Sequence, residues 1–313
     1  AVALGTMNFC GTYGETTQDQ ALRCMAECLD LGVDHFDTSN VYGMGRAEDL
    51  LSRFLKHHRH RVVLASKCGI TRNPDHPFDN SADHMRQALE DSLRRLGVER
   101  IDLYYLHRHE VARPIEEVMQ VLLRFRDEGK IGAVGLSEVS PATLQRARAV
   151  GPVAAVQSEY SLWTRQVELG MLQATGRGDA ALVAFSALGR GVLSGAIPDP
   201  ATFGKTDLRQ AMPRFSAENW PHNLVRLRAF QDFARDIGHD PASLAIAWLL
   251  SRGPHVIALP GSRSPDHMRA NALGATLDLT PDQIARIDQI LPVGWAHGAR
   301  YGPAMSNGPQ AYC

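Results

Sequence analysis

The chain has no apolar run approaching the ~18 residues of a membrane-crossing helix, and almost no net charge. Its 33 basic and 34 acidic residues leave a formal −1. That balance excludes the broad cationic field that nucleic acid or an anionic membrane surface would need, so neither partner is expected. Cysteine is scarce. The five residues, Cys10, Cys24, Cys28, Cys68 and Cys313, are odd in number, and no two have metal or disulfide-framework spacing. A reduced, cytoplasmic setting is the expectation. No signal-peptide pattern is visible, and because the sequence starts at Ala1 and not at Met, some residues ahead of it are expected. No GxGxxG joins a first strand to a first helix, which counts against an open dinucleotide-binding sheet. Low-complexity linkers are missing too, so residues 1–313 are expected to form a single domain.

What the chain does have is a strict alternation. Apolar positions Ala21, Cys24, Met25, Cys28 and Leu29 lie on one face of a helix, with Thr16 or Thr17 as its cap. The β-branched run Val62–Lys67 reads as a buried strand. Helical stripes recur at Met85–Leu96 and Ile115–Leu123. Further helices are expected at Ala47–Lys56, from Pro141, from Arg165, at His222–Ile237, at Pro241–Leu250, at Pro265–Leu273 and up to Ile290. Thr280 and Gln283 form a capping box ahead of that last helix. Strands fall near positions 2, 34, 62, 101, 131, 153, 181 and 255. Eight strand–helix units predict an α/β fold, a (β/α)8 TIM barrel with extra helices and long mouth loops. The rhythm breaks at Arg190–Pro221, a Gly- and Pro-rich stretch too long for an ordinary connection and therefore expected to cover a site. The tail from Pro292 reads as loop.

In such a barrel the chemistry sits where strands end. Asp37 ends the second strand, Lys67 the third and His107 the fourth, and Tyr42 lies just past the second. Each taken alone has a plainer role: a snorkelling lysine, a packed tyrosine, a turn aspartate, a core histidine. Together they form an acid–base set. An ammonium beside a phenol lowers its pKa from ~10, a carboxylate keeps the ammonium charged, and an imidazole can orient a carbonyl. The set suits protonation of a carbonyl oxygen. Phe9, Tyr13, His109, Trp163 and Trp220 fall in mouth loops and are candidates for a substrate pocket. Two histidine groups have the residue types of a metal site. His57-His-Arg-His60 reads as a solvated helix end, and His107-x-His109 lacks further ligands on later strands, so no metal is expected.

The stretches Gly5-Thr-Met7, Phe36-Asp-Thr-Ser-Asn-Val-Tyr-Gly43, Ala65-Ser-Lys67, Ile101–His107, Gly129–Ser137, Val156–Trp163, Ser186–Gly191 and Leu259–Arg263 run in one order along nearly the whole chain. In this the sequence resembles the aldo-keto reductases, in particular bacterial and plant members related to the potassium-channel β subunits. The resemblance implies that Asp37, Tyr42, Lys67 and His107 are a catalytic tetrad with Tyr42 as general acid. It implies NADPH/NADP+ as cofactor and a small carbonyl or alcohol as substrate. Gly5, Thr6, Met7 and Asp37 would lie by the nicotinamide end, Ser137 and Gln157 would bond its carboxamide, and Phe185 would stack near the ring. Ser186, Leu188, Gly189, Arg190 and Gly191 would cradle the pyrophosphate. Gly261, Ser262 and Arg263 would hold the 2′-phosphate at a helix start, with His267 beside them and Asn271 facing the adenine. His267 and Ala270 stand where many relatives carry Arg and Glu, which keeps NAD as an alternative. A homo-oligomer is left open. The competing functions are an NADPH-sensing regulatory barrel like the channel subunits and, more remotely, a metal-dependent hydrolase.

Overall fold

The structure is a computed structural model describing residues 1–71 and 73–312; Cys313 lies outside the described residues. Eight parallel strands pair in sequence order. They are β1 Leu4–Gly5, β2 His35–Asp37, β3 Val63–Cys68, β4 Ile101–Leu106, β5 Ile131–Ser137, β6 Ala155–Glu159, β7 Ala181–Phe185 and β8 Val256–Leu259. The ring closes through parallel bridges Val2–Ala258 and Gly5–Gly261, with Ala3 N donating to Ala258 O at 2.8 Å and Gly5 N to Pro260 O at 3.0 Å. All eight expected strands are present, in the expected barrel.

The helices are α1 Gln18–Asp30, α2 Arg46–His58, α3 Ala82–Leu96, α4 Ile115–Asp127, α5 Pro141–Val150, α6 Met171–Gly176, α7 Trp220–Asp236, α8 Pro241–Leu250, α9 Pro265–Gly274, α10 Pro281–Ile290 and α11 Pro303–Ser306. Their starts follow local chemistry. Thr17 and Gln20 form a capping box on α1, and Thr280 and Gln283 one on α10. Thr16 caps nothing; its hydroxyl donates to Asn8 O at 3.0 Å. The helix expected from Arg165 is replaced by a 3-10 turn, Gln166–Leu169, and the short α6, because Gly170 at φ 149° interrupts the run. The tail expected as loop contains α11.

The period of two along each strand separates two cores. Leu64, Tyr104, Leu106, Leu136, Val156 and Leu182 face the helices in the large outer core. Ala65, Leu103, Tyr105, Ala155, Val183 and Leu259 fill the barrel interior. Gly135 makes room there, since a Cβ on it would stand 2.3 Å from the Tyr105 ring. The same alternation sends Lys67, two residues past Ala65, to the interior above that layer. The long segment after β7 folds into 3-10 turns at Pro200–Thr202, Leu208–Ala211 and Pro213–Phe215, and Pro198, Leu208 and Arg209 from it line the cavity over the strand ends. Among the described residues no helix is long and apolar enough to cross a membrane.

Candidate active site

Asp37 is the last residue of β2 and Lys67 the fifth of β3. Lys67 is completely buried. Its ammonium donates in a short contact to Asp37 Oδ1, to Thr38 O at 2.7 Å and to the Tyr42 hydroxyl at 3.4 Å, three acceptors for three N–H groups. Burial alone would drive Lys67 toward the neutral amine; the Asp37 carboxylate outweighs it and the amine is held above its ordinary value. The other Asp37 oxygen accepts from Gln157 Nε2 at 2.8 Å.

Tyr42 opens a turn in which Gly43, Met44 and Gly45 are all left-handed, at φ 55°, 60° and 96°. Gly43 is required as much by space as by φ, because a Cβ there would meet Cys10 Sγ at 2.6 Å. The loop is thereby pressed against the first 3-10 turn. One expectation needs correcting. Burial is the largest influence on the Tyr42 phenol and raises its pKa; Lys67 pulls the other way but does not overcome it, so the net shift is upward. The phenol is held protonated, as a proton donor must be.

His107 follows β4 directly. Its Nδ1 lies 3.2 Å from Ser39 Oγ, and its ring meets the Tyr42 ring edge-on at 5.9 Å. Burial, then the charges of Arg108 and Lys67, push its pKa well below the ordinary 6.5, so the imidazole is neutral. His109, two residues on, is turned away: its Nε2 contacts Arg113 O at 2.8 Å and its Nδ1 the Gln310 amide at 2.7 Å. The two rings thus have separate partners. Among the described residues no group of three or more His, Cys, Asp or Glu could hold a metal ion.

A cavity of about 560 Å³ opens over these residues. Gly5, Met7, Asp37, Tyr42, His107, Ser137, Gln157 and Phe185 line it, as do Ser186, Leu188, Arg190 and Gly191, and it reaches Gly261, Ser262, Arg263, His267 and Asn271 on the β8 loop and α9. Three expected contributors sit behind this lining. Thr6 is buried, and its hydroxyl donates to Asp37 O at 3.0 Å. Gly189 packs on Trp163. Lys67 does not line the cavity itself but touches two residues that do, Asp37 and Tyr42. Arg190 lines the wall, but its guanidinium is not free for a pyrophosphate: Nη2 donates to buried Glu159 at 2.7 Å, and what the loop offers an anion is backbone.

The pocket candidates divide. Tyr13 lines the cavity, its hydroxyl accepting from Arg190 Nη1 at 3.2 Å under the Arg209 guanidinium. Phe9, His109, Trp163 and Trp220 do not line it. Phe9 is core, and His109 holds the tail. Trp163 packs between Phe215 and Trp295, and Trp220 stacks on Phe215 at 5.4 Å. The long loop and the tail fold over these aromatics and seal them off.

Several functional neighbours escaped the sequence reading. Arg108, Arg209, Tyr301 and Met305 all line the cavity. Arg108 could have been found by the strand-end rule that found His107. Tyr301 and Met305 lie in a tail without periodicity and had no signal. Beneath them Arg300 bridges two buried carboxylates, with Nη2 to Glu138 at 2.6 Å and Nε to Glu159 at 2.8 Å.

The fold is a parallel eight-stranded barrel with a lysine–carboxylate–phenol triad and a neutral imidazole at its mouth, beside a long cleft. The comparisons place it: residues 1–292 match the aldo/keto reductase family. The NADP(+) aldo-keto reductase yakc of Schizosaccharomyces pombe is 33% identical over 98% of this chain and 93% of its own length. The aldo-keto reductase str7 of Strobilurus tenacellus is 31% identical over 96% and 90%. A solved glycerol dehydrogenase from Gluconobacter oxydans superposes with a TM-score of 0.83 at 33% identity, covering 93% of this chain and 90% of that one. The chain belongs to the aldo/keto reductase family.

Proposed function

We propose that this protein is an NADP(H)-dependent oxidoreductase that interconverts a small carbonyl compound and its alcohol, with Tyr42 as the general acid. One observation carries the reading: a buried ammonium, Lys67, is bonded to both a carboxylate, Asp37, and a phenol that lines the cavity, Tyr42.

The residues present fit the cofactor. Asn271 is buried, lines the cavity, and its Oδ1 has no hydrogen-bond partner among the described residues, so an amino group of adenine would satisfy it. Arg263 stands at the start of α9, bonded to Glu15 O at 2.6 Å and with no carboxylate partner among the described residues; with the helix start it suits a phosphate. Ser137 and Gln157 supply amide-binding groups beside Tyr42. When bound there, NADPH supplies the hydride. The protein supplies the proton: the Tyr42 hydroxyl gives it to the carbonyl oxygen, and Lys67 stabilises the phenolate left behind. Asp37 keeps Lys67 charged. A Ser39 hydroxyl donating to His107 Nδ1 leaves the other ring nitrogen protonated, the tautomer that can orient a carbonyl. The NADP(+) label of the yeast relative and the alcohol oxidised by the Gluconobacter enzyme support the same reaction class.

The test is aldehyde-dependent consumption of NADPH by the protein and by Tyr42→Phe, with cofactor binding followed by fluorescence. The variant should bind NADPH as the parent does and lose at least ~100-fold in turnover, within the range of general acid catalysis. Undiminished turnover by Tyr42→Phe would remove the assignment.

A further inference from the structure

Arg108 carries a charge that the protein leaves unanswered. It is half-buried and lines the cavity next to His107, where an uncompensated charge is costly. The other cavity arginines show how such charges are normally settled here. Arg190 is paired with Glu159 and Arg209 with Asp207. Arg300, beneath them, is paired with Glu138 and Glu159. Arg108 has no carboxylate within ion-pair distance among the described residues. Its Nη1 donates to two neutral oxygens, His107 O at 2.6 Å and Ser137 Oγ at 3.1 Å. Its Nη2 has no acceptor among the described residues. Arg263, also without a carboxylate among the described residues, stands at the start of α9, where it suits a cofactor phosphate. Arg108 stands elsewhere, among the residues that handle the carbonyl.

The bond to Ser137 fixes the guanidinium where the reacting end of the cofactor and the substrate would meet. Its charge is felt at both reacting groups, opposing the rise of the Tyr42 pKa and helping to keep His107 neutral. Behind it the tail closes in, with the side chain lying against Gly308. A substrate entering between His107 and Tyr301 therefore meets one fixed cation a short way from Tyr42.

We propose that Arg108 is a specificity-determining anion anchor, and that the preferred carbonyl substrate bears a carboxylate or phosphate a few bonds from its carbonyl. The proposal rests on the reductase reading above and deepens it. A guanidinium with a free edge pairs with either anion through charge-assisted hydrogen bonds.

Matched probes test it. Steady-state reduction with NADPH is measured for 4-oxobutanoate against its methyl ester, and for glyceraldehyde 3-phosphate against glyceraldehyde, in the parent, Arg108→Gln and Arg108→Lys. NADPH affinity is followed by fluorescence in all three. The expected result is a kcat/KM for at least one anionic probe about tenfold or more above its neutral partner, as for bonds to charged groups. Preference in the first pair names a carboxylate, in the second a phosphate. Arg108→Gln should collapse the anion-to-neutral ratio through KM, and Arg108→Lys should recover part of it. Turnover of the neutral probes without preference for either anion overturns the proposal and leaves the reductase intact. So does an Arg108→Gln effect confined to NADPH affinity, or one equal for both members of a pair. Absence of turnover with all four probes despite NADPH binding removes the reductase reading, and the proposal with it.

Discussion

Gln157 Nε2 donates to Asp37 Oδ2 at 2.8 Å across 120 residues of chain. The bond ties the middle of β6 to the end of β2 and leaves Oδ1 for Lys67. Asp37 is thus the one counter-ion of a fully buried ammonium. Asp37→Asn keeps the shape and removes the charge. The loss should be about 3–5 kcal/mol of stability, the usual cost of orphaning a buried charge, with turnover falling as Lys67 loses its reason to stay protonated. Asp37→Asn with Lys67→Met should regain much of the melting temperature and none of the activity. Melting curves that leave the single and double variants equally unstable would contradict the pairing.

The pH profile follows from the two shifted groups. Tyr42 is displaced above 10 and His107 well below 6.5. With Tyr42 as the proposed general acid, its protonated form is the one competent for reduction, and it persists through neutral pH and is lost only on the alkaline side. His107 is already neutral and gains a proton only in acid. Reductive kcat/KM should therefore run flat through pH 6.5, while alcohol oxidation, which needs the phenolate, climbs with pH. A clear inflection of the reductive profile near 6.5, seen with a buffer series at saturating NADPH, would show that His107 titrates where an ordinary imidazole does.

Much of this is legible in the sequence. Strand positions came from apolar runs and helices from the 3.6 period, because each element buries one face against a neighbour. Asp37, Tyr42, Lys67 and His107 could be brought together because strand ends share one mouth. Where reading failed, the cause was tertiary. Trp163 and Trp220 sit in mouth loops by sequence, yet Phe215 and Trp295, both distant from Trp163 in the chain, take it into the core, and Trp220 stacks on Phe215 at the core's edge. Arg190 was expected to meet a pyrophosphate, but Glu159 is a β6 residue whose side chain only the fold brings near. The sign of the Tyr42 shift was misjudged because burial is a property of the packed mouth, and no residue spacing reports it.

Gly135 and Tyr105 test the inner layer of the barrel. They sit side by side on β5 and β4, and a methyl group on Gly135 would overlap the ring at 2.3–2.4 Å. The ring is fully buried and cannot swing out. Gly135→Ala should cost at least ~1–3 kcal/mol through overpacking. Because Ser137 is two residues further along the same strand, the displacement should also weaken NADPH binding. Chemical denaturation and cofactor fluorescence read the two effects separately, and a variant as stable as the parent would mean that this layer has slack.

Glu159 joins three arginines and gives stability a definite acid limb. Burial would raise its pKa, but Arg190, Arg300 and Arg214 together hold it at about 2, below the ordinary 4.5. A carboxyl depressed on folding stabilises the native state at pH values above its unfolded pKa. That contribution fades as pH falls from ~4.5 toward ~2, because the unfolded chain takes up the proton first. Glu159→Gln removes the titration. It should be several kcal/mol less stable than the parent at pH 7, since Arg190 keeps no carboxylate, and the gap should narrow steadily below pH ~4.5. Arg300 shares the same carboxylate and begins the tail that brings Tyr301 and Met305 to the cavity, so Glu159→Gln should also raise KM more than it lowers kcat. Urea midpoints between pH 3 and 7 decide the matter: a gap that stays constant across that range would mean that folding does not shift the Glu159 pKa.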